Sequence, residues 1–249
     1  MRGQDGEDVR GQVVINLNKG KKLDHLGIRV ELVGIIENLY DKTQNSVFLQ
    51  LVRDLEPPGS LTDNSTYDFA FNRVEKQFES YNGIVVRLRY YINVVINRNY
   101  NRITKEEEFL VQNVGEEPSV LVPIKMEVGI EECLHIEFEF TKNAFHLKDC
   151  ILGKVSFNLV RIKIKMMEIS IIRKETVGAN QNAVTENETL SKFEIMDGAP
   201  VKGELVPVRF YLASTDLTPS YENVNNRFSC SYWLNLVLID EQDRRYFKQ

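Results

Sequence analysis

Histidine and cysteine are scarce in this chain of 249 residues, which has only three of each. The cysteines are odd in number and no two have the spacing of a zinc ribbon or a CxxC motif, which favours reduced thiols in a cytoplasmic protein. The histidines are scattered, without an HExxH pattern, and we interpret them as structural or surface residues. We therefore expect no metal site and no cofactor.

The chain also lacks long apolar runs, a basic excess and nucleophile motifs. No run approaches the roughly 18 apolar residues that a membrane-spanning helix needs, and the N-terminal MRGQDGEDVRG lacks the apolar region of a signal peptide. A formal net charge of −5 disfavours nucleic-acid binding. GxSxG is absent, and the basic turn NKGKK at 18–22 lacks the other residues of a P-loop. We expect no catalytic residues, and hence a protein that is not an enzyme.

What the sequence does contain is alternation of apolar and polar residues, which indicates strands with one buried face. LHIEFEF at 134–140 alternates without a fault, and VRIKIKM at 160–166 does so until a parity change at Met166–Met167 that predicts a β-bulge. The lysines and the arginine of the second stretch either pair with Glu137 and Glu139 or form a solvated face. The pattern at 45–59 does not decide between a helix and a strand, and its two prolines indicate where a helix would end.

Strands without a regular strand–helix alternation predict an all-β fold of antiparallel sandwiches. The segment 113–123, with two prolines and an acidic pair, is interpreted as a linker. It divides the chain into two predicted β-sandwich domains, 1–116 and 117–249. A polar stretch at 177–190 is predicted to be a hairpin loop.

The segment EIMDGAPVKGE at 194–204 combines an apolar pair with turn chemistry. Ile195 and Met196 precede Asp197-Gly198, and Pro200 and Gly203 follow. Gly tolerates positive φ and Pro fixes φ, so the segment is predicted to turn sharply. The residues alone leave open whether the pair ends a strand in the core or is presented to a partner.

Several long blocks resemble one known family, the arrestin-like retromer subunit of the vacuolar protein sorting-associated protein 26 type. They are IKMEVGIEECLHIEFEF (124–140), HLKDCILGKVSFNLVRIKIK (146–165), EIMDGAPVKGE (194–204) and NLVLIDEQDRRYFKQ (235–249). In the N-terminal half, GKKLDHLGIRVELVGIIE, YDFAF and ESYNGIVVRLRYY resemble the same family. The resemblance implies an all-β, arrestin-like fold: two antiparallel β-sandwich domains joined by a short linker.

The resemblance also implies a function. Members of the family are non-enzymatic adaptor subunits of retromer, a coat on the cytosolic face of endosomes that retrieves transmembrane cargo. We would therefore expect a cytoplasmic, peripheral protein whose partners are the α-solenoid subunit, sorting nexins and cytosolic cargo tails, with only indirect membrane association. The alternatives are an arrestin-related adaptor of a retromer-like sister complex and a carrier of a small apolar ligand.

The resemblance implies three sets of binding residues. The solenoid subunit would contact Ile195, Met196, Asp197 and Gly198. Cargo and sorting nexin would bind at Val128 and Phe247. The third set is a PDZ-domain contact at Asp5 and Val114, although the family usually has a larger apolar residue where Val114 stands.

The resemblance further implies strands outside this sequence. The family usually has roughly forty residues ahead of DGEDVRG and a further strand after YFKQ. We therefore expect the first strands of the domain at 1–116 and the last strand of the domain at 117–249 to be missing here. An uncovered sheet edge would invite pairing with another chain.

Overall fold

The computed structural model describes residues 6–113, 118, 120–178 and 183–249. The chain divides into two units, Met1–Val114 and Gly115–Gln249. All strand pairs in the described ranges are antiparallel. The predicted all-β, arrestin-like fold of two antiparallel sandwiches is confirmed. No helix in the part of the chain that the structure describes has the length and hydropathy needed to cross a membrane.

The first unit contains nine strands in its described part. They are β1 (Glu7–Ile15), β2 (Leu23–His25), β3 (Ile28–Asn38), β4 (Ser46–Glu56), β5 (Gly59–Leu61), β6 (Ser65–Val74), β7 (Tyr81–Asn82), β8 (Val86–Asn97) and β9 (Arg102–Phe109). A short 3-10 turn, Lys42–Gln44, lies between β3 and β4 and is capped by Asp41, whose side chain accepts a hydrogen bond from Thr43 N.

One layer of the first unit is a five-stranded sheet in the order β4-β3-β8-β7, with β9 also pairing with β8. The other strands form two separate two-stranded ribbons, β1–β6 and β2–β5. Apolar side chains from β3 and β6, among them Val30, Leu32 and Phe71, share one buried cluster. This cluster forms because alternate residues of each strand point to the same side.

The second unit also contains nine strands in its described part. They are β10 (Ile124–Ile130), β11 (Leu134–Phe140), β12 (Cys150–Val160), β13 (Ile164–Val177), β14 (Val184–Asp197), β15 (Leu205–Tyr211), β16 (Tyr221–Val224), β17 (Phe228–Asp240) and β18 (Arg245–Lys248). Another 3-10 turn, Leu212–Ser214, follows β15.

Each layer of the second unit is one continuous sheet. The four-stranded sheet has the order β10-β11-β12-β15, and the five-stranded sheet has the order β14-β13-β17-β16, with β18 also pairing with β17. Both sheets contribute to one buried cluster, which includes Ile136 and Phe157 from the first sheet and Met167 and Leu238 from the second. The apolar faces of the two sheets therefore bury each other, as in a sandwich.

The alternating pattern at 134–140 predicts β11 correctly, with Leu134, Ile136, Phe138 and Phe140 all buried. The stretch 45–59 is extended and not helical, because most of it forms β4. The strand predicted at 160–166 is interrupted: β12 ends at Val160 and β13 begins at Ile164. The predicted bulge exists, since the register of β13 shifts on both sides of Met166–Met167.

The structure corrects the extent of the predicted hairpin loop, although β13 and β14 do form a hairpin, and it decides between the two alternatives for the basic stretch. The polar stretch 177–190 is mostly strand, since β13 reaches Val177 and β14 begins at Val184; its residues 179–182 lie outside the description. Of the two alternatives for the basic stretch, pairing with Glu137 and Glu139 is not found: Lys163 and Lys165 are exposed, as on a solvated face, and form ion pairs with Glu241 and Asp243. The reason is the interruption of the strand, which carries these lysines away from β11. The predicted linker at 113–123 falls partly on residues that are not described.

Candidate functional site

The segment 194–204 begins in β14 and crosses to β15, so it connects the two sheets of the second unit. Near its start, Met196 pairs with Met167 and Glu194 pairs with Glu168, which leaves Ile195 as the extra residue of a β-bulge. Just before it, the ring of Phe193 stacks on Phe210 with centroids 4.7 Å apart. A bulge re-aims the side chains that it carries. The apolar pair therefore lies at a local irregularity of an edge strand.

The apolar pair is half-buried. Ile195 and Met196 both pack against the core cluster of the second unit, whereas Asp197 and Gly198 are exposed. The sequence left open whether the pair is buried in the core or presented to a partner. In the structure each apolar side chain is partly covered by its own sandwich and keeps part of its surface accessible.

Backbone hydrogen bonds fix the turn after the pair to both sheets. Gly198 N donates to Lys165 O at 2.8 Å, at the start of β13. Gly203 N donates to Phe157 O at 2.7 Å, and Phe157 N donates to Glu204 O at 2.9 Å. The segment is therefore held by β13 on one side and by β12 on the other.

The turn is also closed by its own residues. Val201 N donates to the Oε2 atom of Glu204 at 2.8 Å, and Glu204 N donates to Val201 O at 3.0 Å. Gly198 has φ +112°, a region that residues with a Cβ atom rarely adopt. Pro200 is buried. The segment is consequently preorganised, which lowers the entropic cost of ordering it on a partner.

Sequence reasoning missed the most exposed apolar side chains of this region. Val201 is 67% exposed and Leu205, the first residue of β15, is 55% exposed. Val201 lies in a turn between Pro200 and Lys202, where the sequence gives no periodic signal. The exposure of Leu205 could have been anticipated, because the alternation in LVPVRFY places it on the same face as Arg209 and opposite the buried Val206.

Charged pairs flank the segment at the same end of the second unit. Lys165, whose carbonyl holds Gly198, forms an ion pair with Asp243 at 2.5 Å. Lys163 forms a longer one with Glu241 at 3.5 Å. The resulting surface is apolar at the segment and mixed in charge beside it, which is the usual composition of a protein–protein interface.

The residues implied for cargo and sorting-nexin binding lie on strands at sheet edges. Val128 is on β10, half-buried, with its side chain against the core cluster. Phe247 is on β18, where it pairs with Val237, and is 70% exposed. In the described ranges, β10 pairs only with β11 and β18 only with β17. Each strand can therefore accept an additional strand on its free edge.

A buried carboxylate orients Phe247. Asp240 accepts hydrogen bonds from the backbone of Arg244, from the Arg244 guanidinium and from the Tyr246 hydroxyl, at 2.9, 2.7 and 3.0 Å. Tyr246 also packs against the core cluster, so the next residue, Phe247, must face outward. Burial alone would raise the pKa of Asp240, but these hydrogen bonds outweigh it and lower that pKa to about 2. The hairpin between β17 and β18 is thus fixed at neutral pH.

The structure describes neither residue of the PDZ-domain contact. Asp5 and Val114 lie outside the described residues, so that contact stays a prediction from resemblance.

The described arrangement is suited to binding. It presents half-buried and exposed apolar side chains on a braced turn, and free backbone edges beside Val128 and Phe247. Desolvated apolar anchors carry much of the energy of an interface, and free strand edges supply backbone hydrogen bonds to an extended peptide.

Comparison with known proteins gives one consistent match. The family model described as vacuolar protein sorting-associated protein 26 matches residues 3–243. A Dictyostelium discoideum protein of that name is 55% identical over 245 residues, which cover 98% of this chain and 70% of the relative. The Plasmodium falciparum relative is 52% identical and 83% covered. The human vacuolar protein sorting-associated protein 26B is 52% identical and 73% covered.

Proposed function

The chain belongs to the vacuolar protein sorting-associated protein 26 family, and from this premise we propose that it is a non-catalytic adaptor subunit of retromer. Its role is in protein sorting. In the proposed mechanism the second unit binds the α-solenoid subunit and holds cargo tails and a sorting nexin, so that cargo is retrieved from endosomes. Membrane association would then be indirect, through the sorting nexin.

The observation that carries the proposal is the braced segment 194–204. It offers a solenoid a preformed surface that includes the accessible parts of Ile195 and Met196 and the exposed Val201. Because the turn is tied to β12 and β13 before any partner arrives, little ordering is needed on binding. Solenoids present extended concave binding surfaces, and desolvated apolar side chains at the centre of an interface supply much of its energy.

A single charge at the exposed position tests this interface without disturbing the core. Val201→Asp should weaken binding of the solenoid subunit by at least about 30-fold, since a central apolar anchor contributes about 2 kcal/mol or more. The matched control is Val184→Asp, because Val184 is 51% exposed and begins the same strand that leads into the segment. It lies about 40 Å away along β14, so binding should stay unchanged.

Isothermal titration calorimetry with the purified solenoid subunit measures both variants, with circular dichroism as a check of folding. Equal affinity of Val201→Asp and wild type would overturn the segment as the solenoid interface. The double variant Ile195→Asp with Met196→Asn should also lose binding, but with a lower melting temperature, because both side chains pack against the core.

For cargo we propose strand addition next to Phe247, with Val128 shaping the apolar surroundings of β10. The support is that both residues lie on strands with a free edge in the described ranges and that Phe247 is mostly exposed. Phe247→Asp should reduce binding of a cargo-tail peptide with sorting nexin and leave solenoid binding intact. If this variant lost both cargo binding and solenoid binding, the proposal that the two partners bind to separate surfaces would be contradicted.

A further inference from the structure

The outer face of the four-stranded sheet carries two neighbouring cross-strand rows with opposite electrostatics. In the first row, Glu139 on β11 lies between Lys125 on β10 and Lys154 on β12, each at 3.4 Å. Opposite charges directly across a sheet stabilise it by about 0.2–1 kcal/mol per pair. This row therefore contains its own counter-charges.

The second row has no lysine or arginine among its members. Glu127 on β10 is directly opposite Glu137 on β11, and the β12 position beside them is Ser156. Like charges in directly opposite positions destabilise a sheet. The sequence thus places a second carboxylate at the β10 position where the neighbouring row has a lysine.

His135 completes a triad with these carboxylates. Its Nε2 atom is 3.5 Å from a carboxylate oxygen of Glu127. The residue opposite His135 is Gly129, which has no side chain that could compete for the space. One ligand atom from each of Glu127, His135 and Glu137 lies within 4.8 Å of the others. One nitrogen and two oxygen donors therefore converge on the outer face of this sheet.

A β-bulge supplies a residue that orients the triad. The register between β11 and β12 shifts after His135, which leaves Asn158 as the extra residue on β12. Asn158 Nδ2 donates to the Oε1 atom of Glu137 at 2.7 Å. A hydrogen bond that fixes a carboxylate from outside is typical of the residues that surround metal ligands. Glu137 is thereby held in place, and a carboxylate that accepts one hydrogen bond keeps further acceptor capacity for an ion.

We propose that Glu127, His135 and Glu137 bind a divalent transition-metal ion of the Zn²⁺ type. A neutral imidazole nitrogen and two carboxylate oxygens form a suitable ligand set for Zn²⁺, and water would complete the tetrahedral coordination. The ion would neutralise the carboxylate pair and join the edge strand β10 to β11. This inference does not depend on the proposed sorting function. The site has neither the CxxC nor the HExxH spacing of common zinc sites, because its ligands come together through the pairing of β10 with β11.

Titration of the full chain with ZnCl₂ in a calorimeter tests the site. His135→Asn should weaken Zn²⁺ binding at least about 10-fold, whereas His146→Asn, the matched control on an exposed loop of the same unit, should bind as wild type does. X-ray absorption at the zinc edge should show only nitrogen and oxygen ligands at about 2.0–2.1 Å and no sulfur at about 2.3 Å.

Glu127→Gln provides a readout that loss of folding would not mimic. Without metal, the variant should be at least as stable as wild type, because the carboxylate repulsion is removed. With Zn²⁺, wild type should gain melting temperature through ligand binding and Glu127→Gln should not. Equal Zn²⁺ affinity of His135→Asn and wild type, sulfur ligands at the zinc edge, or no saturable binding up to about 1 mM would each overturn the proposal.

Discussion

The two units close their second layer differently. In the second unit each layer is one continuous sheet, whereas in the first unit the five-stranded sheet faces the separate ribbons β1–β6 and β2–β5. Among the described residues no backbone ladder joins β4 and β6; Arg53 instead donates from its guanidinium to Ala70 O at 2.8 Å. A pocket of about 380 Å³ that is partly open to the surface, lined in part by Phe48, Leu51 and Val74, lies in the same region.

This difference teaches where rigidity is concentrated in the molecule. A two-stranded ribbon is marginally stable and depends on side-chain packing, whereas a strand with two neighbours has hydrogen bonds on both edges. The proposed binding surfaces lie on the unit with continuous sheets. A surface that must be preorganised is best placed on such a framework.

The largest expected effect comes from emptying the core of each unit in turn. Phe157→Ala, at a fully buried residue of the second unit, should lower the free energy of unfolding by about 3–5 kcal/mol. Phe71→Ala, in the ribbon layer of the first unit, should cost about 3 kcal/mol or less, because a layer of separate ribbons can collapse more easily into the space that the substitution leaves.

Chemical denaturation with hydrogen exchange followed strand by strand measures both losses. Phe157→Ala should accelerate exchange in β11, β12 and β13, and Phe71→Ala in β1 and β6. A larger cost for Phe71→Ala than for Phe157→Ala would refute the contrast between the units.

The next effect concerns acid stability. Because the pKa of Asp240 is lowered from 3.8 to about 2, its ionised form stabilises the second unit fully above about pH 4, and this stabilisation is lost as the pH falls towards 2. Asp240→Asn should therefore lower the melting temperature at pH 7 and flatten its decline between pH 4 and 2.

The matched variant in the first unit is Asp41→Asn. The pKa of Asp41 is lowered too, by hydrogen bonds from Thr43 and Gln44, but it caps only an exposed 3-10 turn. Its loss should change the melting temperature at pH 7 less than the loss of Asp240 does. Calorimetry at pH 7 and pH 3 distinguishes the two, and an unchanged acid profile in Asp240→Asn would disprove the role of that carboxylate.

The smallest effect compares two exposed turns. Gly198 in the second unit and Gly20 in the first have φ +112° and +73°, and a Cβ atom at either would meet nothing within 4 Å. Gly20→Ala should cost about 1 kcal/mol and Gly198→Ala about 1–3 kcal/mol, because φ +112° lies farther from the left-handed minimum that Ala can occupy.

Urea denaturation resolves this difference. Gly198→Ala should also weaken solenoid binding, since it disturbs the turn that holds Val201, whereas Gly20→Ala should not. Equal costs for both substitutions would show that the turn at 198 stores no additional backbone strain.

Part of the fold could be predicted from alternation alone. The pattern at 134–140 predicted β11 and its buried face. Alternation predicted the wrong structure at 161–163. Apolar and polar residues continue to alternate there, but the strand ends and the chain passes from the four-stranded sheet to the five-stranded sheet. An alternating pattern shows which side chains are buried, but not which of the two sheets their strand belongs to.

The candidate sites were predictable to a smaller extent. The turn at Asp197-Gly198 follows from local chemistry, but the half-burial of Ile195 depends on a bulge in its pairing with β13. The contacts of Glu127 with His135 and Glu137 depend on the register between β10 and β11. Register is set by which faces must be buried over the whole sandwich, so it cannot be read from these residues alone.

The attachment of the 194–204 segment has a mechanical consequence. Because Gly198 is bonded to β13 and Gly203 to β12, traction exerted at Val201 would be divided between the two sheets and would load several hydrogen bonds in parallel. Bonds that share a force in this way fail together and not one after another. A partner that pulls on the proposed binding surface would therefore have to break these hydrogen bonds together.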